Sequence, residues 1–204
     1  MERYEQDLEE LEILKKKDKK MAQAIERIGT IQREINPDLF ESLVNTIVGQ
    51  QISMKAQDTI WKRFLDHFTV ITPEIIYRAS LEEIQRLGIS MRKATYIHSA
   101  AEKVHTGELN IESLWEMSDE VVIRTLVSLD GIGIWTAEML MIFSMGRKDI
   151  LSFGDLAIRR GMMNLYGHKE ITKERFERYR KRYSPHGTLA SMYLWELSKD
   201  IYTK

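Results

Sequence analysis

Apolar residues recur three and four positions apart along most of the chain, the spacing that places them on one face of an α-helix. Leu8, Leu11, Ile13, Leu14, Met21, Ile25 and Ile28 predict one helix over residues 5–28, with the lysine run at 15–20 as its wet face. Asn36-Pro37-Asp38 breaks that pattern and offers Asn36 or Asp38 as a cap for a helix from Leu39 to about Gly49. Amphipathic runs follow from Ser53 to Phe68, from Thr72-Pro73 to Arg78, from the capping-box signature at Ser80 to Gly88, and from Met91 to His105. Residues 112–117, 119–128, 134–146, 155–166, 172–183 and 185–201 complete the set. Strand-like alternation is confined to Phe68–Ile71, too short to pair alone. The predicted fold class is all-α.

Composition narrows the function classes. At 204 residues, 43% apolar and 30% charged, the chain is an ordinary globular one, and its 3 prolines and 11 glycines leave long helices uninterrupted. No segment approaches the ~18 apolar residues of a membrane span, and the charged start is unlike a secretory signal, so a cytoplasmic protein with no membrane partner is expected. The absence of cysteine removes disulfides, thiol nucleophiles, zinc–thiolate sites and a cysteine-held iron–sulfur cluster. The 5 histidines are scattered. A net charge of −1 argues against non-specific coating of nucleic acid. Between Arg147 and Arg182, however, eleven Lys/Arg face five Asp/Glu, leaving that stretch at +6 and the remainder at −7. A solvated, salt-bridged helix and a surface for a polyanion are both open readings of it.

The segment LVSLDGIGIWTA at residues 126–137 lies between two helical runs. Gly131 and Gly133 flank Ile132, which can anchor the turn in the core while backbone amides near residues 131–135 face outward at the next helix's N-terminus. Such amides, with the helix dipole, bind phosphate without a basic side chain. A bare G-I-G is also an ordinary tight turn. Twenty-two residues beyond Gly133, SFGDLAIRR places Asp155 at the N-cap position of another helix. A capping role alone accounts for an aspartate there, but a carboxylate kept ionised at a helix start also suits the stabilisation of an oxocarbenium-like sugar cation.

Taken together, these segments resemble the helix-hairpin-helix DNA glycosylase superfamily, and within it the 3-methyladenine DNA glycosylase II branch that acts on alkylated purines. The resemblance runs from about residue 20 to 200 and includes FESLVNTIVGQQISMKA (40–56), GISMRKA (88–94) and PHGTLASMYLW (185–195). The family's best-known form carries a further N-terminal β-rich domain without counterpart in these residues. The resemblance implies two helical lobes with an interlobe cleft: residues 1–37 with 146–204, and residues 38–145 with the hairpin. It implies Asp155 as the catalytic carboxylate, and Trp135, Trp195, Met139 and Leu156 around the base. Met139 and Leu156 stand where the family often has aromatic residues, and Gly187 stands where an arginine is expected. Bifunctional members place a lysine just after the hairpin to form a Schiff base; here Trp135 stands there, so a monofunctional, water-using enzyme without lyase activity is expected.

Aromatic faces attract the cationic base that alkylation at N3 or N7 creates, by ~0.5–2 kcal/mol, although Trp135 and Trp195 read equally as core residues of amphipathic helices. DNA contacts are expected from Gly131, Ile132, Gly133, Thr136, Gln51, Ser53, Lys55, Arg92 and Lys93. Gln51 is the candidate to fill the gap left by a flipped base, with a capping or buried amide as its other reading. The carbonyls of Val127, Leu129 and Ile132 are expected to hold a Na+ or K+ ion; no other cofactor is implied. The partner is double-stranded DNA with damaged bases, bound by a monomer. Rival readings are a glycosylase for uracil or an oxidised purine, a non-catalytic helix-hairpin-helix module, and a helical interaction protein.

Overall fold

A computed structural model describes residues 2–4 and 8–199. Among the described residues are twelve α-helices: α1 (Leu8–Lys17), α2 (Lys19–Ile28), α3 (Leu39–Gly49), α4 (Met54–Phe68), α5 (Pro73–Arg78), α6 (Leu81–Arg86), α7 (Met91–His105), α8 (Asp119–Val127), α9 (Ile134–Phe143), α10 (Leu156–Tyr166), α11 (Lys173–Tyr183) and α12 (Gly187–Leu197). A 3-10 turn occupies Glu112–Glu116. The fold is all-α, and the sequence places its breaks: Asp38, Ser53, Thr72, Ser80, Ser90, Asp155 and Thr172 each accept a backbone amide from the helix they precede.

Two expectations change. The helix expected over 5–28 is two helices, because Asp18 leaves the helical conformation and caps α2, accepting the Met21 amide at 3.0 Å. Its carboxylate also accepts Tyr166 Oη at 2.7 Å and Arg182 Nη1 at 2.6 Å, partners from far along the chain that outweigh helix continuity. Residues 5–7 and 200–201, part of the predicted terminal helices, lie outside the described residues. A short antiparallel pair, β1 (Glu2–Tyr4) with β2 (Arg33–Ile35), sets Arg3 opposite Glu34. The Phe68–Ile71 segment is no strand: α4 ends there and Thr69 takes a positive φ of 62°.

The chain forms two compact units, one from Met1–Ile35 with Met141–Lys204, the other from Asn36–Leu140. The boundaries fall before Asn36 and within α9, whose residues from Met141 on belong to the first unit, with Met141 and Ile142 buried there. In that unit α12 is the central helix, buried on nearly every side from Gly187 to Leu194, and α10 packs along it. The second unit buries Leu43, Val44, Ile47 and Val48 of α3, Phe64 of α4, and Ala94, Ile97 and Ala101 of α7. Among the described residues no helix is long and apolar enough to cross a membrane.

Candidate active site

In the second unit, α8 and α9 meet through a turn that Ile132 anchors. Its side chain is buried and its amide donates to Leu129 O at 3.1 Å, so that amide serves the turn and does not face outward. Gly131 has φ +79°, and a Cβ there would sit 2.6 Å from Tyr96 Cε2 of α7, so both backbone and packing require glycine. Gly133 differs: a Cβ would meet nothing within 4 Å. Among the described residues no neighbour demands glycine at 133; its bareness leaves the backbone approachable from outside. Gly133 O accepts the Ala137 amide at 3.0 Å, so α9 starts here, with first-turn amides that have no acceptor within the helix. Gly131, Gly133, Ile134 and Trp135 are exposed around this start. A helix N-terminus dressed this way suits a phosphate.

The turn is tied to the α3–α4 connection. Gln50 Nε2 donates to Gly131 O at 2.8 Å. Lys93 Nζ donates to Gln50 O at 2.6 Å and Val48 O at 2.8 Å, an ammonium capping the carbonyl end of α3. Partial burial, with help from nearby Arg92, holds the Lys93 pKa below its ordinary value. Lys93, expected on phosphate, is therefore an internal brace, and Gln50 is a site residue the sequence reading missed. The double Gln in GQQ was its only signal. Gln51 projects from an exposed position with φ +59°, unusual for a residue with a Cβ. Ser53 caps α4 with its Oγ on the Ala56 amide at 3.3 Å. Lys55 and Arg92 are exposed. Thr136, expected on DNA, is buried, because it shares the inward face of α9 with Ala137 and Leu140. Met54, 82% exposed at the start of α4, is an apolar surface residue that amphipathic spacing did not single out.

In the first unit, Asp155 caps α10. Its Oδ1 accepts the amides of Ala157 at 2.8 Å and Ile158 at 2.9 Å, which fixes the rotamer and sets the charge against the positive end of the helix dipole. Asp155 is 7% exposed, yet its neighbours Gly154 and Leu156 lie at the surface, Leu156 with 68% of its area in water. A carboxylate so placed is largely withdrawn from solvent without being deep. The segment leading to it is clamped to α12. Thr188 donates its Oγ1 to Arg147 O at 2.6 Å and accepts from the Ile150 amide at 3.1 Å, and Ser191 Oγ donates to Ile150 O at 2.9 Å. Asp149, read from sequence as part of an exposed turn, is half-buried and accepts Ser184 Oγ at 2.6 Å and the Gly187 amide at 3.0 Å. A side chain at Gly187 would reach to 2.8 Å from Asp149 Oδ1, which accounts for glycine where a longer residue was expected.

The residues expected around the base divide between the units. Trp135 is 46% exposed and Met139 half-buried on the second unit's part of α9. Trp195 is half-buried on α12 and stacks on Phe143 at 5.5 Å, so one of its faces is taken. The carbonyls of Val127, Leu129 and Ile132 lie at and after the C-terminal end of α8; Leu129 O already accepts one amide, and a carbonyl has a second lone pair. Neutral oxygens at the negative end of a helix suit a monovalent cation. Among the described residues no group of His, Asp and Glu is set to hold a metal.

Four likenesses bear on this geometry. The family model of HhH-GPD superfamily base excision DNA repair proteins matches residues 44–186. DNA-3-methyladenine glycosylase 1 of Schizosaccharomyces pombe is 35% identical over 171 residues, 81% of this chain and 75% of that protein. The crystal structure of a DNA-3-methyladenine glycosidase from Bacillus halodurans matches with a TM-score of 0.88 at 37% identity, covering 98% of this chain and 94% of that one. A Schizosaccharomyces pombe 3-methyladenine DNA glycosylase, solved in complex with abasic DNA, matches with a TM-score of 0.78 at 30% identity, over 92% and 95% of the two chains.

Proposed function

Because the chain belongs to the HhH-GPD superfamily of base excision DNA repair proteins, we propose that it removes alkylated purines, of the 3-methyladenine and 7-methylguanine type, from DNA. The observation that carries the reading is Asp155, a nearly buried carboxylate held by two amides at the start of α10. An alkylated purine is cationic and leaves with the electrons of its N-glycosidic bond, so the sugar carries the positive charge as the bond breaks. A fixed negative charge in a partly desolvated position stabilises that charge far better than water does. Water then attacks the sugar carbon, its proton passes to the carboxylate, and a free base and an abasic site result. The flipped nucleotide is read by aromatic surface at Trp135 and Trp195, with Met139 and Leu156 contributing apolar area. A cationic leaving group makes detailed hydrogen bonding to the base unnecessary.

The amides at 133–136 take a phosphate of the same strand, and the exposed segment at 51–54, with Gln51, enters the space a flipped base vacates. The carbonyls of Val127, Leu129 and Ile132 would hold a Na+ or K+ ion, which when bound supplies positive charge toward a phosphate. No lysine stands at the hairpin position that imine chemistry uses, so strand cleavage is not part of the reaction. The enzyme works as a monomer in the cytoplasm, on chromosomal DNA.

The test is base release from methylated DNA by the wild type and by Asp155→Asn, followed by alkali to reveal abasic sites. Loss of release by at least 100-fold, with DNA affinity kept, is expected. Full activity of the variant would overturn the role of Asp155, strand breaks before alkali would overturn hydrolysis, and release of uracil or 8-oxoguanine but not methylpurines would overturn the substrate class.

A further inference from the structure

Base excision leaves unused a basic cavity on α11. Phe176 and Tyr183 form the buried face of that helix. On another face Arg175, Arg178 and Arg182, with Tyr179 and His168, line a cavity of about 260 Å3. Among the described residues no acidic one lines it. Arg182 is neutralised by Asp18 at 2.6 Å and lies over the Tyr179 ring at 5.2 Å, forming a wall. Arg175 donates to the backbone carbonyl of Glu170 at 2.7 Å, which positions the guanidinium without cancelling its charge. Tyr179 Oη lies 2.7 Å from His168 Nε2. Burial and the positive charges of Arg175, Lys20 and Arg178 hold the His168 pKa below its ordinary value.

Guanidinium groups match phosphate oxygens in pairs. Arg175, Arg178 and Arg182 are spaced i, i+3, i+7, which at 1.5 Å per residue covers roughly 10 Å of helix. Arg182 is occupied by Asp18, which leaves Arg175 and Arg178, ~4.5 Å apart along the helix, to meet successive phosphates of a strand that advances ~3.4 Å per nucleotide along the duplex axis. We propose that this face of α11 is a second phosphate-binding site, taking consecutive backbone phosphates of DNA other than those held by the hairpin. The inference rests on DNA being the partner, and it explains how a chain of net charge −1 collects a local excess of +6 between Arg147 and Arg182.

The experiment measures binding of an undamaged duplex to the wild type and to Arg175→Gln/Arg178→Gln across a salt series. Loss of two phosphate contacts should make the slope of log affinity against log salt shallower by about 2 and lower affinity roughly tenfold or more at low salt. An unchanged slope and affinity would overturn the proposal. A second measurement needs no variant: the His168 imidazole is followed by NMR through a pH titration with and without the duplex. Phosphates at Arg175 and Arg178 offset the field those residues and Lys20 exert, while Tyr166 and Tyr179 stay uncharged, so the His168 midpoint should rise. A midpoint indifferent to duplex overturns the site. One that moves with inorganic pyrophosphate but not with duplex replaces DNA by a free polyphosphate and overturns the DNA assignment. Base release by the wild type is scored separately, so failure here is distinguishable from failure of the excision reading.

Discussion

Replacing Gly161 by alanine tests whether the packing of α10 on α12 sets the position of the Asp155 carboxylate, and with it the rate of the proposed base release. A Cβ at 161 would stand 2.8 Å from the carbonyl carbon of Leu194 and 3.0 Å from its Cα, and nearer still to its oxygen. Carbon atoms in contact prefer about 3.5–4.0 Å. The obstacle is backbone, so the two helices must separate by roughly 1 Å or tilt. Overpacking of this kind costs about 1–3 kcal/mol, with backbone collisions at the upper end, while alanine returns close to 1 kcal/mol of helix propensity over glycine. The net expectation is about 2 kcal/mol, or a melting temperature lower by roughly 4–8 °C for a chain of this size. Asp155 caps the same helix six residues earlier, about 9 Å along its axis. The loop before it is clamped to α12 through Thr188 and Ser191. A shift near 1 Å at the carboxylate is enough to cost up to 100-fold in rate. Single-turnover release of methylpurine, measured well below both melting temperatures, should therefore fall by about 10- to 100-fold, with affinity for undamaged duplex unchanged. A variant that melts within about 1 °C of the wild type and releases base at the same rate would refute the reasoning.

Asp155→Ala should lose base release like Asp155→Asn but also lose its cap, about 1 kcal/mol, and melt a few degrees lower; equal melting of the two variants would deny Asp155 a capping role. Gly131→Ala meets both a positive φ and the Tyr96 ring, so thermal stability and duplex affinity should drop together, whereas Gly133→Ala should leave stability nearly intact and weaken duplex binding alone. Lys93→Met removes two charge-assisted hydrogen bonds to carbonyls, each worth about 1.5–3 kcal/mol; urea unfolding should show a loss of about 2 kcal/mol or more. Burial raises the Asp18 pKa, but the Met21 amide, Tyr166 hydroxyl and Arg182 together outweigh it and leave the pKa below 3.8. The stabilisation from this depressed group is complete above its unfolded pKa and is lost as pH falls through the folded value. Acid unfolding followed below about pH 4 should thus be steeper for the wild type than for Asp18→Asn.

Local chemistry was legible in the residues themselves. Helix starts followed from Asp38, Ser53, Thr72, Ser80 and Asp155, because a cap bonds amides two or three positions away. The hairpin was readable from Gly131 and Ile132 for the same reason: a positive φ and an apolar anchor are properties of adjacent residues. Lys93 was misjudged and Gln50 was missed because their partners, the carbonyls of Val48, Gln50 and Gly131, belong to other elements. Asp149 looked like a surface turn until α12 returned to meet it.

By itself, the sequence determined the helices, their caps, the turn with its glycine and the presence of an acid at a helix start. Those features depend on interactions spanning a few residues, where the chain has few alternatives. Tertiary structure alone decided that Asp18 splits the first helix, that Thr136 turns inward and Lys93 braces the hairpin, and that Thr188 and Ser191 clamp the segment before Asp155. For Asp18, Lys93, Thr188 and Ser191 the outcome is a competition for hydrogen-bond partners brought close by packing, and for Thr136 it is the choice of which face of α9 is covered; a one-dimensional pattern does not contain the distances that settle either.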